Sequence, residues 1–189
     1  MLFKQHTYKR RFLSLASLLS LSFLHTTAPA DELTVGHPAP DFALPDQHSI
    51  EHRLASYRGQ WLVLYFYPKA DTAGCTTEAC QFRDDIYQYQ RLNVKLLGIS
   101  TDNVKSQQEF AEKHHLPFPL LSDPDGSTAT SYDSFTSIGP LRFAKRHTFI
   151  IDPDGRIAHI FSDVDPQTHN HDVLAALKLL CPGSAKVCA

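Results

Sequence analysis

Two continuous apolar runs, WLVLYFY from Trp61 to Tyr67 and VKLLGIS from Val94 to Ser100, begin about 30 residues apart, with helically spaced apolar residues between them. Runs that lack polar alternation belong to strands buried on both faces. A crossover this long cannot be a hairpin, so the two strands are expected to run parallel with a covering helix. That helix is expected from CTTEACQFRDDIYQYQRL, which places Ala79, Phe82, Ile86 and Tyr89 on one face. Beyond the second strand, Asp102 or Asn103 can cap a helix over VKSQQEFAEKHH. HTFIID and RIAHIF flank Pro153-Asp154-Gly155 and predict a hairpin. A last helix is expected from about His171 to Leu180, halted by Pro182-Gly183. Asp31 to about Gln60 reads as extended pieces joined by turns, without a site signal. The pattern predicts an α/β chain, a central mixed sheet flanked by helices, thioredoxin-like in outline.

At 189 residues and 42% hydrophobic content the chain can bury one ordinary core. Its first 30 residues are set apart. Lys4, Lys9, Arg10 and Arg11 precede the 13-residue apolar run FLSLASLLSLSFL, and Ala28-Pro29-Ala30 follows, with no acid anywhere. This is the order of a secretory signal peptide, and the run is shorter than the roughly 20 residues a membrane helix needs. We therefore expect a leader over 1–30 and one domain over 31–189, with a retained membrane anchor as the alternative. The whole chain has 18 Lys and Arg against 20 Asp and Glu; without the leader the balance is 14 − 20 = −6. Such a surface argues against nucleic acid and anionic membranes as partners. All four cysteines, Cys75, Cys80, Cys181 and Cys188, follow the leader. An exported, periplasmic location would let disulfides persist, but four cysteines are too few to be the scaffold of a chain this long. Some of these thiols are therefore candidates for chemistry.

Cys75 is expected where a buried strand has ended, at Pro68, and a helix begins. Unpaired N–H groups and the positive end of the helix dipole favour a thiolate at such a place, and the thiolate is the nucleophile. A cysteine met without context is more often a buried structural residue. Here Thr72, Ala73 and Gly74 make a small, flexible approach of the kind that exposes the residue it carries. Thr72 could otherwise be only a helix cap, Glu78 could simply complement the dipole, and Arg146 could be a solvated cation. His147 should face away from Arg146 on a strand. His114-His115 and His169-x-His171 lack a third ligand at metal spacing and are read as exposed histidines. Neither a metal nor a cofactor is expected.

YFYPKADTAGCTTEACQFRDD resembles the active-site segment of the peroxiredoxins, and closely that of the peroxiredoxin Q or bacterioferritin comigratory protein group. The resemblance extends through APDFALPDQ, LLGISTDN, LLSDPDG and RHTFIIDPDGRI, covering nearly all of residues 34–180. It implies a thioredoxin-like fold and a thiol-dependent peroxidase that reduces hydrogen peroxide and organic hydroperoxides. On the matching positions, it makes Cys75 the peroxidatic nucleophile and Cys80 the resolving thiol that closes an intramolecular Cys75–Cys80 disulfide. Thr72 would bind the peroxide, Arg146 would sit over the sulfur, Pro68 would shield the site, and Glu78 would hold the arginine. It further implies a thioredoxin-like dithiol reductant and a monomer. Two departures stand out: Ala73 replaces a frequent proline, and the stretch from Phe135 to Lys145 is shorter than in many members.

Two other functions fit the outline. A copper chaperone would place a cysteine pair at the same corner with a distant histidine, but usually as C-x-x-x-C; a thiol-disulfide reductase would want C-x-x-C. The chain has C-T-T-E-A-C. On one helix, Cys75 and Cys80 would lie about 7.5 Å apart along the axis and face directions about 140° apart. A disulfide between them therefore requires the helix to open. In the tail CPGSAKVCA, the turn residues Pro182 and Gly183 would let Cys181 and Cys188 join as a structural clasp, the alternatives being free thiols or a relay.

Overall fold

The computed structural model describes Met1, Leu2 and residues 33–181. The chain divides into two units, Met1–Asp31 and Glu32–Ala189, and the architecture below belongs to the second. The expected leader, apart from Met1 and Leu2, and the Cys188 partner of the expected tail clasp lie outside the described residues.

A short antiparallel pair, β1 (Ala43–Pro45) and β2 (Glu51–Arg53), leads into a 3-10 turn over Leu54–Tyr57. The two apolar runs form β3 (Trp61–Phe66) and β4 (Val94–Ser100), paired in parallel as expected. Between them the helical stretch is broken in two, α1 (Ala73–Asp84) and α2 (Ile86–Arg91), rather than continuous. The break falls at Asp85, whose carboxylate accepts hydrogen bonds from Gln88 Nε2 at 2.7 Å and Asn170 Nδ2 at 2.6 Å. An aspartate with such partners competes with the helical path. α1 also starts two residues before Cys75, which puts that cysteine inside the first turn.

Then follow α3 (Val104–His114), β5 (Leu120–Ser122), α4 (Ser127–Ser131), a hairpin of β6 (Phe135–Ile138) and β7 (Leu141–Ala144), the pair β8 (Thr148–Ile151) and β9 (Ile157–Phe161), and α5 (His169–Leu180). Asn103, not Asp102, caps α3, its Oδ1 accepting from Ser106 N at 2.9 Å. The β6–β7 hairpin is absent from the sequence reading. It turns at Gly139-Pro140, where Gly139 takes φ +58°, a conformation that suits glycine. The β8–β9 pair turns at Pro153-Asp154-Gly155 as expected, with a bulge at Ile150/Ile151.

The main sheet has the order β5-β4-β3-β8-β9, parallel on one side of β3 and antiparallel on the other. Alternate residues of β3 enter two cores. Val63 and Tyr65, followed by Tyr67, pack with Phe82, Tyr89, Phe110, Val173 and Leu177. Leu62, Leu64 and Phe66 pack with Phe42, Ile99, Tyr132 and Phe149. Burial on both faces is why this strand shows no polar alternation. The antiparallel partner also matters for function. Tyr65 pairs with Thr148, and Phe66 N donates to His147 O at 2.7 Å, so the segment leading into β8 arrives beside the end of β3.

Gly98 in β4 leaves room for the Tyr65 ring. A Cβ there would meet Tyr65 Cζ and Oη at 2.8 Å and Leu120 Cδ2 at 2.9 Å, all inside the sheet core. Gly98→Ala should therefore cost about 1–3 kcal/mol of folding stability through overpacking. Urea unfolding checks this; an unchanged midpoint would contradict the packing described.

Candidate active site

The loop from Pro68 to Thr72 carries the chain from the end of β3 into α1, and buried polar groups hold it. Tyr67 Oη donates to Gln107 Oε1, and Gln107 Nε2 donates to Ser100 Oγ at 3.0 Å. Ser100 Oγ in turn donates to Asp102 Oδ2 at 2.8 Å, and that oxygen accepts the Ala70 N–H at 2.7 Å. At the next residue, Asp71 takes a left-handed φ of +60° and accepts from Lys113 Nζ at 2.6 Å and His114 Nε2 at 2.9 Å. The exposed ion pairs add little energy alone, but together with Asp102 they fix where α1 starts.

At that start Thr72 occupies the N-cap position and is exposed. Its side chain makes no cap bond; Oγ1 donates to Lys69 O at 3.0 Å. Cys75, in the first turn, is only 1% exposed, so the small residues before it do not expose it as expected; the Arg146 guanidinium covers it instead. Arg146, from the segment entering β8, aims Nη2 at Cys75 Sγ over 3.3 Å, while its Nη1 donates to Glu78 Oε2. Gly74 makes room for this guanidinium, because a Cβ there would lie 3.3 Å from Nη2. Glu78 is one turn beyond Cys75 on α1 and fully buried. It is thus the buried counter-ion of Arg146 rather than a solvated charge at the helix end. Arg146, half-buried, is likewise no free surface cation.

Burial pushes the Glu78 carboxyl up to about 7, against the pull of Arg146. For Arg146, burial opposes its charge, but Glu78 and Cys75 outweigh it and raise its pKa. Pro68 is half-buried at the end of β3, and Cys80 is partly exposed on the same unbroken helix as Cys75, with both thiols free. The structure therefore brings Cys75, Arg146 and Glu78 into direct contact, puts Thr72 and Pro68 on the loop before them, and sets Cys80 further along α1.

His169 corrects the reading of the histidines. It is 1% exposed, lies against Phe82 and Phe161, and its Nε2 is 2.8 Å from Thr148 Oγ1 and 4.0 Å from Glu78 Oε1. Burial lowers its pKa to about 4, so it is neutral around pH 7. The spacing of His169 with Val173 and Leu177 on the buried face of α5 is the signal that could have found it. His147, by contrast, is structural as expected: it reaches Ser134 Oγ at 3.0 Å. Among the described residues, no group of three or more His, Cys, Asp or Glu side chains could hold a metal ion.

A thiol at a helix start, facing a guanidinium that is itself anchored on a buried carboxylate, in a thioredoxin-like sheet, defines the class of thiol peroxidases. Comparison with known proteins agrees. The AhpC/TSA family model matches residues 35–160. Peroxiredoxin Bcp of Escherichia coli is 40% identical over 153 residues, which is 77% of this chain and 96% of that protein. Peroxiredoxin Bcp of Bacillus subtilis is 38% identical over 152 residues, 77% of this chain and 96% of that one. Among solved structures, peroxidoxin BcpB of Mycobacterium tuberculosis superposes with a TM-score of 0.74 at 37% identity, covering 79% of this chain and 99% of that one. A Xanthomonas campestris bacterioferritin comigratory protein, studied for its alkyl peroxide reduction activity, gives 0.73 at 31%, with 78% and 99% covered. The chain belongs to the AhpC/TSA family, with its homologues in the Bcp and peroxiredoxin Q group. It is a peroxiredoxin, and peroxiredoxins are peroxidases.

The raised Glu78 pKa has a consequence for stability. The folded chain binds this proton more tightly than the unfolded chain, whose carboxyl titrates near 4.5. The contribution is fully present below about 4.5 and is lost as pH rises through about 7. Relative to wild type, Glu78→Gln should therefore gain stability progressively over that window, on the order of 1–3 kcal/mol. Urea unfolding at several pH values measures this; a flat or falling difference would contradict the burial described.

Proposed function

We propose that the chain reduces hydrogen peroxide and organic hydroperoxides through Cys75 and resolves the product through Cys80. The observation that carries this reading is the Arg146 Nη2 contact with Cys75 Sγ at 3.3 Å in the first turn of α1. The Cys75 thiolate attacks one peroxide oxygen, the O–O bond breaks, and the sulfur becomes a sulfenic acid. The departing oxygen takes a proton and leaves as water or an alcohol. Negative charge grows on that oxygen in the transition state, where a fixed guanidinium stabilises it more than in the ground state. The exposed Thr72 hydroxyl, already donating to Lys69 O, keeps its oxygen as an acceptor for the peroxide O–H. Pro68, at the strand end, shields the sulfur from bulk water, and Glu78 holds Arg146 in place.

The sulfenic acid then condenses with the Cys80 thiol, releasing water and forming a Cys75–Cys80 disulfide. A dithiol donor of thioredoxin type reduces that bond and is itself oxidised. The alkyl peroxide activity named for the Xanthomonas campestris protein supports organic hydroperoxides as substrates here. The charge and apolar pattern of Met1 to Ala30 supports a leader over 1–30, a single domain over 31–189 and an exported, periplasmic location with an exported donor, and the family resemblance supports a monomer. No cofactor enters this cycle.

Two experiments test the reading. Cys75→Ser should abolish peroxide turnover with a dithiol donor, while Thr72→Val and Arg146→Ala should each slow it on the order of 10²-fold or more; turnover that survives in the Cys75 variant sinks the assignment. The second follows hydrogen exchange. Because the two thiols share an unbroken helix about 7.5 Å apart along its axis, their disulfide must unwind the first turn or more of α1. Oxidation should strip protection from residues 75–85, whereas equal protection in both redox states would rule out a Cys75–Cys80 bond.

A further inference from the structure

Glu78 has two carboxylate oxygens in different situations. Oε2 is taken by Arg146, whereas Oε1 is fully buried and has no hydrogen-bond partner. His169 Nε2, brought by the first turn of α5, lies 4.0 Å from it, and the Tyr65 hydroxyl of β3, likewise buried without a partner, feels the same carboxylate. The imidazole is packed on two sides. Phe82 of α1 meets it edge-on at 5.8 Å between ring centroids and Phe161 of β9 at 5.2 Å. Thr148 Oγ1 of β8, 2.8 Å from Nε2, fixes the same edge. A carboxylate oxygen left bare in an apolar interior is costly, and at low dielectric the positive edge of an imidazole 4.0 Å away lowers that cost through its field, although it is too far for a hydrogen bond.

We propose that His169 is a positioning residue for peroxide reduction: with its Nε2 proton donated to Thr148 Oγ1, the positive edge of its ring stays 4.0 Å from Glu78 Oε1 and favours a Glu78 that is charged and paired to Arg146, which in turn stays fixed against the Cys75 sulfur. This rests on Cys75 being the nucleophile. The charged and titratable groups around the pair are Arg146, from the segment before β8, with Cys75 on α1 against it, Tyr65 on β3, and Asp172 on α5 itself. Burial keeps the imidazole neutral near pH 7, so it acts through a dipole rather than a charge. Glu78, held near the point of protonation by burial, is the group whose balance such a dipole can tip. No proton need pass to the peroxide from this histidine.

The test has two arms on the full chain. Long-range proton–nitrogen NMR of the reduced protein should find Nε2 of His169 protonated and Nδ1 bare, with the Nε2 signal following the Glu78 titration and losing that response in Glu78→Gln. The opposite tautomer, or a signal indifferent to Glu78, overturns the proposal without any variant of His169. The second arm is kcat/KM for hydrogen peroxide against pH. His169→Phe keeps the ring packing and removes the donor. It should lower the rate about tenfold near pH 7, as expected for a lost interaction with a charged group, and move the acid limb to higher pH. His169→Gln carries an amide N–H and should recover to within about threefold of wild type. Equal losses in both variants with an unmoved limb would mean packing alone and refute the proposal, as would a wild-type profile in His169→Phe. Turnover that persists without Cys75 would instead overturn the reading on which the proposal rests.

Discussion

A single arginine joins the candidate nucleophile of this molecule to its most deeply buried acid. Arg146 spans from the Cys75 sulfur to a carboxylate with no access to water, and both contacts depend on where three separate elements end. A buried carboxylate without a partner would cost several kcal/mol, so Glu78 and Arg146 are each tolerable only because the other is present. The guanidinium in turn has one arm committed to Glu78 and one left for the sulfur. Whatever charge appears at the sulfur, or on an oxygen breaking away beside it, meets a cation that has little freedom to move away.

The sheet supplies the coincidence. Pairing β8 antiparallel to β3 brings the residue before β8 beside the residue after β3, while α1 begins where β3 has released the chain. The intervening loop is pinned from below by the Asp102, Ser100, Gln107 and Tyr67 network and from the side by Asp71 with α3. α5 closes the far wall with His169. Cys80 lies on α1 beyond this frame and partly exposed.

Much of this was legible in the residues. Trp61–Phe66 and Val94–Ser100 announce themselves because strands buried on both faces need no polar alternation, and Cys75 stands out because a helix start after a proline-terminated strand is a place for a thiolate. Local pattern was weaker where tertiary partners decide. The break at Asp85 follows from Asn170 reaching across from α5, and no window of sequence around Asp85 contains that residue. The β6–β7 hairpin rests on one turn, Gly139-Pro140, without strong alternation in its flanks. His169 was read with its exposed neighbour His171 as a surface pair, although its spacing with Val173 and Leu177 marks it as buried. Glu78 and Arg146 were assigned to one network through family resemblance, since neither spacing nor composition relates residues 68 positions apart.

The central claim is that the sulfur touched by Arg146 is the atom that peroxide oxidises. Mass spectrometry of reduced Cys80→Ser, given one equivalent of hydrogen peroxide with a sulfenic-acid trap, tests it most directly. The account predicts one trap adduct, on Cys75, formed within the time of peroxide loss. An adduct on another residue, or peroxide loss with no adduct on Cys75, would contradict it.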